Sequence, residues 1–259
     1  MRYADKAVIV TGGTKGIGRA CVELFAGAGA DVTFCSHEEE GAAALIAQVR
    51  ATGGRAQFEL CDVSDAAALE RFVAGVGGRL GRIDCLINNA GWHPPHHPID
   101  AFTPADFRGL FDLNVMSVFV ACRTALPWLR QSKGSIINVA SLVATIGQHH
   151  ATTYVATKGA VLAFTKALAI DEASHGVRVN AISPGNIYTP LWQEAVDASA
   201  DPAATLAAGE AAQPVGRFGT AAEVARLCLF LASEATFTTG ADHIVSGGAE
   251  LGYGAKRRT

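Results

Sequence analysis

A dozen residues near the amino terminus limit the choice of fold more than any other part of the chain. Ala7-Val-Ile-Val-Thr is a short apolar run of strand character, and Gly12-Gly13-Thr14-Lys15-Gly16-Ile17-Gly18 follows it at once. From Arg19 to Ala28 the apolar positions then recur at helical spacing. Strand, glycine-rich turn and helix together form a dinucleotide cradle. The glycines let the backbone approach a pyrophosphate, and the helix start offers free N–H groups and the positive end of its dipole. Gly12, Thr14, Lys15, Gly16, Ile17 and Gly18 are the residues placed against such a ligand.

The same alternation continues down the chain. Strands are expected at 31–36, 56–61, 83–87, 134–141, 178–183 and 243–248, and helices at 42–51, 64–80, 103–131, around 154–169 and at 220–233. Thr103 caps the long helix 103–131, with Pro104 at its first position. Seven strands alternating with helices predict an α/β chain: a single Rossmann domain over 1–259 whose doubly wound, seven-stranded parallel sheet carries helices on both faces. The alanine-rich stretch 188–218 has a weaker period and reads as a lid over a substrate. With 49% hydrophobic residues in 259, the chain can bury a large core. A net charge of -3 argues against nucleic acid or an anionic membrane as the partner. No apolar run reaches the length of a membrane span, and the sequence runs into its first strand without a signal-peptide pattern. Cysteines 21, 35, 61, 85, 122 and 228 are scattered, which fits reduced core thiols in a cytoplasmic protein.

In a parallel sheet, ligands sit beyond the carboxyl ends of the strands. An acid at the end of the second strand would bind the adenosine ribose diol; here Ser36-His37 stands there, followed by Glu38, Glu39 and Glu40. Ser36, His37 and Lys15 suit a 2′-phosphate and the glutamates oppose it, so the expected cofactor is NAD(P)(H), leaning to NADP(H). Asp62, with Val63, ends the third strand and either accepts from an adenine amino group or caps the next helix. Asn89, Ala90 and Gly91 follow the fourth strand, where an amide can bond neighbouring backbone and small residues let a cofactor lie close. Pro184, Gly185, Ile187 and Thr189 follow the sixth and can anchor a carboxamide. His93, His96 and His97 lie in the loop Trp92–Pro98, but no carboxylate or thiol is spaced with them and prolines hold them apart. No metal site is expected. His93 is a candidate for the substrate pocket, and His96 and His97 are expected in solvent.

Tyr154 and Lys158 stand four residues apart on one helix face. A fixed ammonium beside a phenol favours the phenolate and lowers its pKa toward working pH, so Tyr154 can exchange a proton with an alcohol or carbonyl oxygen. Ser141 ends the fifth strand within reach of the same oxygen. Asn114 sits among Leu113, Val115 and Phe119, either bonded to its own helix or holding a water near Lys158.

The ordered set T-G-G-T-K-G-I-G at 11–18, N-N-A-G at 88–91, Asn114, Ser141, Y-V-A-T-K at 154–158 and P-G-N-I at 184–187 resembles the short-chain dehydrogenase/reductase family over nearly the whole length. N-N-A-G-W-H-P-P, I-S-P-G-N-I-Y-T-P-L-W and G-G-A-E-L-G-Y-G are similar to its hydroxysteroid and L-fucose dehydrogenase branch. The resemblance implies a tetrad of Asn114, Ser141, Tyr154 and Lys158, with Tyr154 as acid/base and Lys158 also holding the nicotinamide ribose. It implies His93, Gln148, Trp192 and Tyr253 as substrate residues, and a homotetramer packed through the helices bearing Asn114 and Lys158. Ser36 departs from that branch, which carries an acid there. The expected activity is NAD(P)-dependent interconversion of a secondary alcohol and a ketone, as with hydroxysteroids, or oxidation of a sugar hydroxyl. The rival expectation is a catalytically silent NAD(P)-sensing protein, which would be expected to lose Tyr154 or Lys158.

Overall fold

The computed structural model describes residues 2–251. In chain order it runs β1 (Ala7–Thr11), α1 (Gly16–Gly27), β2 (Asp31–Ser36), α2 (Ala42–Ala51), β3 (Arg55–Leu60), α3 (Ala66–Leu80) and β4 (Cys85–Asn88). Then come α4 (Pro104–Phe111), a π turn over Asp112–Met116, α5 (Ser117–Ser132), β5 (Ser135–Val139), the short α6 (Val143–Ile146), α7 (Thr152–Glu172) and β6 (Arg178–Pro184). β7 (Ile187–Tyr188), α8 (Pro190–Asp197), α9 (Pro202–Ala211), β8 (Gly219–Thr220), α10 (Ala221–Ser233) and β9 (Asp242–Val245) complete it.

Seven strands form one sheet in the order β3-β2-β1-β4-β5-β6-β9, and every pairing is parallel. The alternation of a strand sorts its side chains between two cores. On β1, Val8 and Val10 face one cluster with Val22 and Phe25 of α1, Leu45 of α2 and Val224 of α10. Ile9 faces the other, with Leu69 of α3, Ala121 and Leu129 of α5 and Val161 of α7. The strands buried on both faces are the continuous apolar runs seen in the sequence. All six cysteines are buried free thiols. Helix 104–132 is long and apolar enough by composition to cross a bilayer, contrary to the expectation of no such run. Its buried Ala121, Ala125 and Leu129 instead serve the second core.

That helix is continuous but not uniform. At the π turn the Ser117 N–H bonds the Asp112 carbonyl, five residues back, and the Ser117 hydroxyl donates to the Leu113 carbonyl at 2.5 Å. The turn brings Asn114 inward, where it is 1% exposed. The stretch 188–218 is also more regular than expected. Thr189 and Asp201 cap α8 and α9, each with proline at the first turn. Pairing of β7 with β8 ties the two ends of this lid together. Tyr253 lies outside the described residues.

Candidate active site

The cleft opens over the carboxyl ends of the strands, where β1 and β4 leave the sheet in opposite directions, and encloses about 640 Å³. One wall is the glycine-rich turn. Gly12 has φ +66°, and a Cβ on Gly18 would lie 2.0 Å from the Gly12 carbonyl oxygen. Gly18 is therefore a packing contact beneath the turn and not part of the wall, which corrects its expected role; Gly12, Thr14, Lys15, Gly16 and Ile17 do line the cleft. Lys15 gives α1 no side-chain cap, so its first N–H groups stay available to an anion. Asn89 holds the turn by donating to the Thr11 and Gly12 carbonyls, each at 3.0 Å.

Ser36 and His37 line the ribose end. Lys15 Nζ is 3.0 Å from Glu38 Oε2, and His37 Nε2 is 3.3 Å from Glu38 Oε1. Both basic groups thus share one carboxylate, which also borders the cleft. Asp62 accepts from the Ser64 N–H and hydroxyl at 2.9 and 2.8 Å, while Asp65 caps α3. Asp62 does not cap the helix; it and Val63 face the cleft. Ala90, Gly91, Pro184, Gly185, Ile187 and Thr189 complete the side toward the reacting groups. The uncapped helix start, the close-packed glycines and the small residues after β4 fit a dinucleotide.

Tyr154, Lys158 and Ser141 meet at the inner end. Tyr154 borders the cleft, yet protein encloses it on its other sides. Burial pushes the phenol up to about 12, and the hydrogen bond with Ser141 only partly opposes this. The expected lowering by Lys158 is absent. Lys158 Nζ lies 5.8 Å from the Tyr154 ring centroid and donates to the Val139 carbonyl at 2.9 Å. Its own burial holds it down at about 8. An ammonium bound to a carbonyl beneath the ring gives the phenolate little help.

Asn114 stands behind the wall. Its Oδ1 accepts the Trp92 N–H at 2.9 Å, and its Nδ2 donates to the Trp92 carbonyl at 3.0 Å and to Thr157 Oγ1 at 3.1 Å. The amide ties the loop after β4 to α7 and keeps one lone pair. A Cβ placed on Gly91 would sit 3.1 Å from Asn114 Oδ1 and 3.3 Å from Lys158 Nζ. Glycine thus lets the backbone after β4 pass close to both polar groups, where a side chain would crowd them.

His93 lines the cleft and lies tilted against Tyr154, ring centroids 4.1 Å apart at 42°. Gln148, outside the lining, meets His93 Nε2 at 2.9 Å. Trp192 is not a pocket wall. It packs edge-on against Phe218, centroids 4.8 Å apart, and anchors the lid internally. Leu191 and Glu194 of α8 face the cleft in its place. Sequence reasoning also missed Cys61, Trp92, Leu113, Val139 and Ala140 as lining residues. Val139 ends β5, and Cys61 and Ala140 follow strand ends, so the carboxyl-end rule would have found them. His96 and His97 are exposed as expected, and no metal-binding group of His, Cys, Asp or Glu occurs among the described residues.

Comparison with known proteins agrees with this geometry. A family profile described as Enoyl-(Acyl carrier protein) reductase matches residues 12–250. L-fucose dehydrogenase of Mus musculus is 51% identical over 255 residues, covering 98% of this chain and 92% of that protein. Cyclopentanol dehydrogenase of Comamonas testosteroni is 37% identical over 252 residues, covering 95% and 98%. Among solved structures, that of levodione reductase superimposes with a TM-score of 0.92 at 30% identity, covering 97% of this chain and 100% of that one.

Proposed function

The chain belongs to the short-chain dehydrogenase/reductase family, and from that premise we propose that its substrate is a sugar of the L-fucose class. It is an NAD(P)-dependent oxidoreductase acting on CH–OH groups. The observation that carries the sugar reading is the polar rim beside Tyr154. His93, which lines the cleft, begins a hydrogen-bonded row with Gln148 and His96 behind it, so a polar group faces the substrate beside Tyr154 and is held there by two more. This fits the likeness to an L-fucose dehydrogenase. A hydroxysteroid is the second reading, favoured by Leu191 on the lid and exposed Ile146.

When bound, the nicotinamide supplies the hydride chemistry. The protein supplies the rest. Ser141 orients the reacting oxygen, and Tyr154 takes the hydroxyl proton at its phenol oxygen during oxidation and returns it during reduction. Lys158 holds the ribose and hands the proton on to solvent through a water that Asn114 would hold beside it. Glycine-turn N–H groups hold the pyrophosphate. At the ribose end we assign a preference for NADP(H). Ser36 offers no carboxylate against a 2′-phosphate, and that phosphate can displace Glu38 from Lys15 and His37. The helices bearing Asn114 and Lys158 expose Phe107, Phe111, Phe119 and Ile170, in keeping with a homotetramer packed through them. A cytoplasmic location fits the six free thiols.

The test follows absorbance of the reduced nicotinamide with L-fucose and with estradiol, each against NAD⁺ and NADP⁺. Turnover of L-fucose, with the higher kcat/KM for NADP⁺, is expected. Turnover of estradiol alone would overturn the sugar reading, and an NAD⁺ preference would overturn the assignment at Ser36.

A further inference from the structure

The turn out of β6 is held from behind. Pro184, Gly185, Ile187 and Thr189 line the cleft, while Asn186 between them does not. The Asn186 backbone N–H donates to Gln213 Oε1 at 3.0 Å, and its side-chain Nδ2 donates to the Gly209 carbonyl at 2.9 Å. Its own carbonyl accepts the Gly219 N–H at 2.9 Å. Three polar groups of one residue are thus tied to the segment 209–219, where the lid runs from α9 back to β8. Gln213 is the partner that reaches the turn with a side chain. It is 2% exposed, and its Nε2 donates to the Arg217 carbonyl at 2.6 Å. Those partners admit one orientation of the amide, because a half-turn would set carbonyl against carbonyl and N–H against N–H. A Cβ on Gly185 would come within 3.1 Å of Gln213 Oε1, so the backbone of the turn passes close over the amide.

We propose that Gln213 is a positioning residue for the nicotinamide end of the cofactor: its carboxamide pins the Asn186 backbone, and with it the cleft-facing turn from Pro184 to Thr189. This rests on the reading of the cleft as a dinucleotide site. A segment already fixed in the geometry that its ligand needs gives up less freedom when the ligand binds. Without the Gln213 oxygen, the Asn186 N–H loses its partner inside the protein, and the turn must shift to find another. The cost falls on the half of the ligand that needs the turn in place. That half is the nicotinamide, because this side of the cleft leads to Tyr154 and Ser141. The glycine turn, Ser36 and Asp62, which receive the adenosine half, stand at the ends of β1, β2 and β3, beyond β4 and β5 from β6.

The experiment compares two ligands by isothermal titration calorimetry on the full-length protein. One is NADP⁺, and the other is 2′-phospho-ADP-ribose, the same molecule without its nicotinamide; NAD⁺ and ADP-ribose form a parallel pair. Dissociation constants need no substrate and no turnover. Gln213→Met keeps the size of the side chain and removes its hydrogen bonds. In it the preference for the nicotinamide-bearing ligand should fall by roughly threefold to tenfold, the worth of one hydrogen bond, while the truncated ligand keeps its parent affinity. Asn186→Ala removes the bond to Gly209, leaves Gln213 in place and should give a smaller loss of the same kind. Equal weakening of both ligands would overturn the proposal, since that pattern belongs to a residue that only supports the fold. So would an unchanged ratio in Gln213→Met or, should that variant not fold, in Asn186→Ala. A parent protein that binds neither ligand of either pair would overturn the dinucleotide reading itself, and the proposal with it.

Discussion

At the scale of single residues, the site depends on what is missing as much as on what is present. Gly91 leaves open the space between Asn114 Oδ1 and Lys158 Nζ. Gly91→Ala presses a methyl group to 3.1 Å from Asn114 Oδ1 and 3.3 Å from Lys158 Nζ, displacing both polar groups. Turnover should fall roughly tenfold to a hundredfold, the range of an impaired proton transfer, while nicotinamide binding persists; steady-state kinetics beside fluorescence binding would show the split. Tyr154→Phe should abolish turnover and leave cofactor affinity in place by the same two measurements. Lys158 gives a prediction in stability. Its folded pKa of about 8 lies below its ordinary 10.5, so between those values the unfolded chain holds more protons than the native one. Native stability from this group therefore rises with pH across that window. Lys158→Met should remove that rise, leaving the parent gaining on the variant as pH climbs from about 8 toward 10.5 in thermal melts.

At the scale of elements, α5 and α7 are braced by a carboxylate that water hardly reaches. Glu172 is 3% exposed at its side chain, and Arg130 meets it through Nε at 2.8 Å and Nη2 at 2.6 Å. The guanidinium holds that carboxyl below the usual carboxylate range, so its contribution is present at neutral pH and fades as acid protonates it. Arg130→Met strands the charge. Because Arg130 itself is half exposed, the loss should be about 2 kcal/mol, short of the full cost of breaking a buried pair, and should appear as a lower urea midpoint. Elements of this kind were legible to different depths. The strands stood out because burial on both faces makes them unbroken apolar runs. The cofactor wall followed, since strand ends fix it. The π turn was silent: a bond reaching five residues back changes no apolar spacing, and only Ser117 marks it. The lid helices were overlooked although Thr189-Pro190 and Asp201-Pro202 are helix starts, because their alanine-rich bodies blur the period. Trp192 was misplaced because its partner, Phe218, lies beyond the next helix. Tyr154 was misjudged because four-residue spacing sets which face a lysine shares, not which carbonyl its ammonium chooses.

At the scale of the whole molecule, the apolar surface along helices α4, α5 and α7 is the open account. Phe119 is 44% exposed and Ile170 is 77% exposed. In the proposed tetramer these side chains are covered. Light scattering should give a mass of four chains, and Phe119→Glu should shift it toward smaller species while the monomer's far-ultraviolet dichroism persists. The sheet order also says something about birth. Val8 pairs on one side with Val32 and on the other with Cys85. A chain leaving the ribosome can zip β1 to β2 and then β3 almost at once, but the opposite flank of β1 stays bare until β4, which begins at Cys85, about 25 residues beyond the end of β3 at Leu60. At roughly 5–20 residues per second that is about one to five seconds of an unpaired hydrophobic edge. A strand interior to the finished sheet is, during translation, an exposed edge, and the nascent half-sheet is the species a holdase chaperone would meet.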